Sequence, residues 1–307
     1  MGIVSGNEIC KTLRATAKVV DNKKEIGQCT LHIDGPILVF CGNIKNPRID
    51  SNIIVRAKLK KVCSQLLRVF NITKVILWFD GRAPLEKTST QLKRAARRSS
   101  YDAAAVKSKL FEYFTNSSLT VDGVILKTNC IQLERGEAEC EMYVQRNRDA
   151  NSILYTKDTD IYSIAYKHVP ESKKDNVFVC VDISSKTQNG LEIYDMSKFQ
   201  YPHISRNIFR LCMALRGTDY TESVFTPTML AAIFNSPDIM FAEYESSLLE
   251  SHECVVSTLE FLTQTITSLQ SRYRICVHKV QTPDVARLYW YINYCGRGIS
   301  YSTEVLA

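Results

Sequence analysis

Three apolar runs in this chain end in aspartate: Thr30-Leu31-His32-Ile33-Asp34, Val75-Ile76-Leu77-Trp78-Phe79-Asp80, and Ile153-Leu154-Tyr155 continuing to Asp158 and Asp160. A short, nearly continuous apolar run is what a strand covered on both faces presents, and such strands belong to parallel sheets flanked by helices. Open α/β sheets bind ligands at the carboxyl ends of their strands. With Glu137, Glu139 and Asp219, this order can bring seven carboxylates into one crevice. So many negative charges repel one another, and the repulsion is relieved by raised pKa values or by cations. Oxygen-only donors suit hard divalent ions such as magnesium or manganese.

The rest of the chain is basic, with a formal net charge of +7 over 307 residues. An acidic, cation-loaded crevice in a basic chain points to metal-dependent chemistry on nucleic acid. Hydrophobic content of 45% and charged content of 23% are those of an ordinary globular protein. No apolar run reaches the ~20 residues that span a bilayer, so no membrane partner is expected. The eleven cysteines form no Cys-x-x-Cys pair and have no matching histidine spacing. They read as free thiols of a reducing compartment, nuclear or cytoplasmic.

Along the first 200 residues strands alternate with helices. Cys29 to Ile33, Val75 to Phe79, Ser152 to Tyr155 and Val177 to Val181 read as strands, and Val124 to Leu126 as a short one. Ile54, Leu59, Val62, Leu66 and Phe70 recur at helical spacing, with Arg56, Lys58, Lys60, Lys61 and Arg68 between them. Glu137 to about Arg146, Ile208 to Leu215, Met229 to Phe234, Leu248 to Leu269 and Arg287 to Tyr294 read as helices. The expectation is an α/β chain with a mostly parallel sheet and a helical C-terminal portion.

Asp158 and Asp160 are two apart and share one face of an extended segment. Glu137 and Glu139 would diverge by about 200° on a regular helix. They converge only if Glu137 stands at or before the first turn, a break that Gly136 permits. Between Asp80 and Lys109 the chain carries Arg82, Lys87, Lys93, Arg94, Arg97, Arg98, Lys107 and Lys109 against Glu86 and Asp102 alone. Such a stretch, directly after a strand-end carboxylate, can neutralise phosphates and guide a nucleic-acid strand. Lys87 and Arg94 lie two helical turns apart and can face one strand.

The motif order resembles the flap endonuclease (XPG-type 5′ nuclease) family. Met1-Gly2-Ile3 is similar to its N-terminal signature, and Ile33-Asp34 to its first metal aspartate. Phe79-Asp80-Gly81-Arg82-Ala83-Pro84, with Lys87 and Lys93-Arg94, resembles its next block. Gly136-Glu137-Ala138-Glu139, Thr156-Lys157-Asp158-Thr159-Asp160 and Leu215-Arg216-Gly217-Thr218-Asp219-Tyr220 resemble the following three. The resemblance implies a PIN-like core over 1–220, with a basic helical arch in 81–110 and a divergent helical region over 221–307. It implies that Asp34, Asp80, Glu137, Glu139, Asp158, Asp160 and Asp219 hold two Mg2+ ions, for which Mn2+ can substitute. Lys87 and Arg94 would contact the scissile phosphate. Gly2, Phe40, Arg82, Lys93, Arg97 and Arg98 would bind the nucleic acid, with Phe40 stacking on a base.

The implied substrate is DNA with a 5′ flap or a single-strand/double-strand junction, cut during replication, repair or recombination, with RNA cleavage or non-catalytic binding as the alternatives. The chain also departs from the pattern. Thr226 and Thr228 stand where the family has the glycines of a turn that approaches duplex DNA. The C-terminal stretch carries no sliding-clamp peptide. A trimmed member of this kind is expected from a virus acting in its host's nucleus.

Overall fold

The computed structural model describes residues 24–41, 51–82, 92, 103–144, 151–157, 161, 177–182, 191–198, 206–217, 221, 223–226, 228–230, 251–273 and 284–294. Its centre is a seven-stranded sheet in the order β3-β4-β2-β1-β5-β6-β7. The strands are β1 (Gln28–Asp34), β2 (Asn71–Phe79), β3 (Ser117–Val121), β4 (Val124–Gln132), β5 (Asn151–Thr156), β6 (Val177–Asp182) and β7 (Leu191–Asp195). All neighbours from β4 to β6 run parallel, while β3 and β7 close the two edges antiparallel. The helices are α1 (Gly35–Cys41), α2 (Ser51–Leu67), α3 (Ala103–Phe114), α4 (Ala138–Val144), α5 (Arg206–Leu215), α6 (His252–Tyr273) and α7 (Val285–Tyr294).

The apolar strands are continuous because each face of the sheet has its own core. Leu31, Ile33, Leu77, Phe79 and Tyr155 point to one side, where Val55, Leu59 and Leu66 of α2 and Leu110 and Phe114 of α3 meet them. Ile76, Trp78, Leu154, Val179 and Tyr194 point to the other, against Met142 of α4, Leu211 and Leu215 of α5, Leu262 of α6 and Leu288 of α7. Side chains alternate along a strand, so only an apolar residue at nearly every position fills both layers. This is the mostly parallel α/β sheet that the sequence led us to expect.

Several boundaries differ. β4 runs to Gln132 rather than ending at Leu126, and β3 was not anticipated. Asp122 (φ 49°) and Gly123 (φ 79°) form the two-residue turn that joins β3 to β4. Both residues need positive φ, which Asp-Gly supplies, so the hairpin signal was present. It was masked because the alternate positions of β4 are polar or open, with Lys127 exposed and Ile125 70% exposed. The side chain of Ser64 on α2 donates to the Asp122 carboxylate, which fastens the hairpin tip to the helix layer.

Helix starts are set by caps rather than by apolar residues. α6 begins at His252, not Leu248, because Ser251 Oγ accepts the Cys254 N–H at 3.2 Å. Asp284 Oδ1 accepts the Arg287 N–H at 3.0 Å and starts α7. Arg146 and Ala231 to Phe234, expected in helices, lie outside the described residues.

One polar pair crosses the core beneath the strand ends. Trp78 Nε1–H donates to His32 Nδ1 at 3.1 Å, and His32 is only 3% exposed. Burial, helped by the charge of Lys74, pushes the His32 pKa down to about 4, so the ring stays neutral at pH 7. A histidine whose folded pKa lies below its ordinary 6.5 leaves the unfolded chain to bind the proton first as pH falls. Its contribution is complete above about pH 6.5 and is lost as pH drops toward 4, with about 3 kcal/mol at stake. His32→Gln keeps an acceptor for Trp78 and cannot titrate. Urea unfolding in EDTA at pH 7.5 and pH 4.5 should therefore show wild type losing about 2 to 3 kcal/mol more than the variant; equal losses would contradict a neutral buried His32.

Candidate functional site

Four of the predicted carboxylates lie in the described residues, all near the carboxyl ends of the central parallel strands. Asp34 is the last residue of β1, at the middle of the sheet, and is 7% exposed. Its register partner on β2 is Trp78, so Asp80 stands two residues beyond that level and is exposed. On the other flank Ile33 pairs with Tyr155, which puts Thr156 at the end of β5. Glu137 immediately precedes α4 and Glu139 is its second residue. α4 packs on β1, β2 and β5.

The break before α4 is the one that Gly136 allows. Gly136 has φ 84°, and the Glu137 carbonyl accepts the Glu141 N–H at 3.3 Å, so Glu137 is the cap and not a helical residue. The divergence of two positions on a regular helix therefore does not apply to Glu137 and Glu139.

Asp80 and α4 are coupled directly. Asp80 Oδ1 accepts the Ala138 N–H at 2.9 Å, across 58 residues of chain, and so satisfies one of the free donors at the helix start. Beside it the backbones pair: Gly81 N–H donates to Gly136 C=O at 2.9 Å, Arg82 N–H to Glu134 C=O at 3.0 Å, and Gly136 N–H to Arg82 C=O at 3.2 Å. The approach is so close that a Cβ on Gly81 would lie 2.3 Å from the Arg135 nitrogen. The side chain of Glu139 is tied to the sheet as well, because Thr156 Oγ1 donates to its Oε1 at 3.3 Å.

Two residues that sequence reasoning left out of the site also hold this corner. Gln132, the last residue of β4, donates through Nε2 to the carbonyls of Asp80 at 2.6 Å and Leu133 at 2.8 Å. Lys107 of α3 donates to Gln132 Oε1 and sits 5.3 Å from the centre of the Phe79 ring. That ring also packs on Phe111 and fills the space where a Cβ on Gly35 would be, at 2.5 Å. Lys107 was visible only as one cation in a basic stretch, and a lone glutamine at a strand end carries no signal in a sequence.

Asp158, Asp160, Asp219, Lys87, Arg94, Gly2, Lys93, Arg97 and Arg98 lie outside the described residues, and Phe40 falls within α1. Arg82 is exposed, two residues past Asp80. Among the described residues no three metal-ligating side chains form a closed group. The donors that are placed are all carboxylate oxygens, and the nearby His32 is turned into the core against Trp78. That chemistry fits a hard divalent ion.

Thr226, one of the two threonines at the expected glycine turn, has a structural use. Thr226 caps the helical turn 228–230: its Oγ1 accepts the Met229 N–H and its carbonyl the Leu230 N–H, each at 3.2 Å. Upstream, Gly217 (φ 94°) leaves α5 against Ser223, where a Cβ would come within 2.9 Å. The side chain of Arg216 crosses the turn to Ser223 Oγ and the Phe225 carbonyl, both at 3.1 Å.

No protein-family model matches this chain, and no curated protein matches it in sequence. Solved structures do match it in fold. The catalytic core of Rad2 in complex with DNA substrate aligns over 98% of this chain and 88% of that one, with TM-score 0.52 and 16% identity. A further Rad2–DNA complex covers the same shares with TM-score 0.51 and 15% identity. The eukaryotic junction-resolving enzyme GEN-1 binding potassium aligns over 98% of this chain and 66% of that one, with TM-score 0.50 and 16% identity. The chain has the fold of the Rad2 catalytic core, as its resemblance to the XPG-type nucleases implies.

The Gly81 contact gives a direct test. Gly81→Ala drives a methyl group into the Arg135 backbone, which cannot swing away as a side chain can. Thermal or urea unfolding should show a loss of about 1 to 3 kcal/mol, whereas Gly123→Ala, which meets nothing within 4 Å, carries only the strain of its positive φ. Equal losses for the two would rule out the close pairing.

Proposed function

We propose that this protein is a divalent-metal-dependent, structure-specific nuclease that hydrolyses phosphodiester bonds of DNA at flaps, ends or junctions. The observation that carries the reading is the coupling of Asp80 to α4. It ties Asp80 to the start of the helix that carries Glu139, at the end of the sheet where β1 closes on Asp34, in the fold of a catalytic core that has been solved with DNA substrate. Rad2 is described with DNA substrate and GEN-1 as junction-resolving; both support DNA as the substrate class here.

Asp34, Asp80, Glu137 and Glu139, together with Asp158, Asp160 and Asp219, would hold two Mg2+ or Mn2+ ions. When bound, such ions activate a water and neutralise charge on the leaving oxygen. The chain's own contribution is positioning. The Ala138 N–H orients the Asp80 carboxylate, the hydroxyl of Thr156 orients that of Glu139, and Gln132 fixes the peptide that carries Asp80. Lys87 and Arg94 would balance the charge that builds on the phosphoryl oxygens. Arg82, exposed beside the crevice, would meet the backbone next to the cut.

The Thr226 cap favours a changed grip on duplex DNA, because a threonine engaged in capping replaces the bare backbone that a glycine offers. A host-shutoff-like ribonuclease is therefore the second reading. Side-by-side digestion of a 5′-flapped DNA and a single-stranded RNA, with Mg2+ or Mn2+, separates the two. We expect the flap to be cut near its junction, and Asp80→Asn and Asp158→Asn each to abolish cutting while DNA binding persists. Preferential digestion of the RNA would transfer the assignment to the second reading, and absence of cleavage of either substrate at any salt would end both.

A further inference from the structure

The helix layer opposite α4 carries a surface that the cleavage reading leaves unused. α2 contains Arg56, Lys58, Lys60 and Lys61 and no acidic residue; Arg68 follows its end, and no Asp or Glu occurs between Ser51 and Phe79. Arg56, Lys60, Lys61 and Arg68 are exposed. Arg56 and Lys60 stand one turn apart, a like-charge spacing that weakens a helix. Nothing acidic on α2 offsets that repulsion. On the adjoining α3, Lys109 and Tyr113 are likewise one turn apart, and both are exposed, Tyr113 by 39%. Glu112 lies about 100° around α3 from Tyr113.

These two faces meet. The Arg56 guanidinium sits 5.1 Å from the centre of the Tyr113 ring, and α2 packs against α3. That contact orders the four residues along the seam as Lys109, then Tyr113 with Arg56, then Lys60. The direction follows from the topology. α3 touches the crevice corner through Lys107 and Gln132, and Tyr113 lies six residues further on, about 9 Å along the helix. α2 ends where β2 begins, so Lys60 is further from the strand ends than Arg56. The seam thus leads away from the carboxylates as a basic track of about 12 Å with an aromatic ring in its middle.

We infer that the α2–α3 seam is a second nucleic-acid contact: a track for a single strand of the substrate that passes beyond the catalytic crevice. Lys109, Arg56 and Lys60 take its phosphates, and a base or sugar lies against Tyr113, whose ring the Arg56 guanidinium holds in place. Positively charged grooves with a stacking aromatic are how single strands are bound without sequence preference. The inference rests on the nucleic-acid reading above and adds to it the place where a strand runs.

Fluorescence anisotropy of a labelled single-stranded DNA 30-mer in EDTA, over a range of salt, tests it with the intact protein. Three lost phosphate contacts should lower the slope of log affinity against log salt by about 2 in Arg56→Ala/Lys60→Ala/Lys109→Ala. Tyr113→Ala should weaken binding about fivefold or more with its slope unchanged. Lys198→Ala, whose cation pairs with Asp195 instead, should match wild type. With Mg2+, the turnover of a short flap that ends at the crevice should stay at the wild-type value in the triple variant, which also shows that it folds. An unchanged slope in the triple variant, or an equal fall in Lys198→Ala, overturns the track while leaving the nuclease reading intact. A wild type that binds and cuts nothing overturns both.

Discussion

Past the last residue of β2 the chain has no strand left to extend, yet Gly81 and Arg82 go on exchanging hydrogen bonds with Glu134 and Gly136. This short pairing carries the sheet's order beyond its edge. It fixes the height of Asp80 relative to the start of α4, where Ala138 donates to the Asp80 carboxylate. Because α4 packs on β1, β2 and β5, the same pairing also helps keep Glu139 within reach of Thr156 at the end of β5. Two glycines make it possible for different reasons: Gly81 has backbone where a Cβ would be, and Gly136 turns with positive φ. A carboxylate that must act in company with others needs its backbone held, since a loose strand end would spread it over several positions.

Support for that corner comes from below and from the side. Phe79 anchors the end of β2 between Gly35 and Phe111, and Lys107 lies over its ring while holding Gln132. Gln132 in turn binds the carbonyl of Asp80. Among the described residues no cysteine enters these contacts. Burial raises the thiol of Cys63 to about 12 and those of Cys29 and Cys130 to about 11, so they stay protonated and pack as small apolar groups.

Much of the fold was legible because β1, β2, β5 and β6 are buried on both faces and therefore apolar at nearly every position. The edge strands were harder to read for the converse reason. β3 and the first half of β4 have one face open to solvent, so Ser118, Thr120 and Lys127 break the apolar run. Within the candidate site, Asp34 and Asp80 could be read because each ends such a run. Gln132 could not, since its role depends on which carbonyls come within reach. Thr226 looked like a lost glycine and is a helix cap, a distinction that depends on the helical turn beginning two residues later.

The order of the carboxylates, the apolar runs that Asp34 and Asp80 close, the oxygen-only chemistry of the set and the absence of acids along α2 can all be read from the order of residues. These are properties of composition and spacing along one chain, and hydrophobic periodicity reports them directly. That Gly81 lies against Arg135, that Lys107 reaches Gln132, and that Arg56 rests on Tyr113 emerges from the folded arrangement alone. Each of those contacts joins residues far apart in the chain. The contacts depend on strand register and helix packing, which set distances across the chain where periodicity is silent.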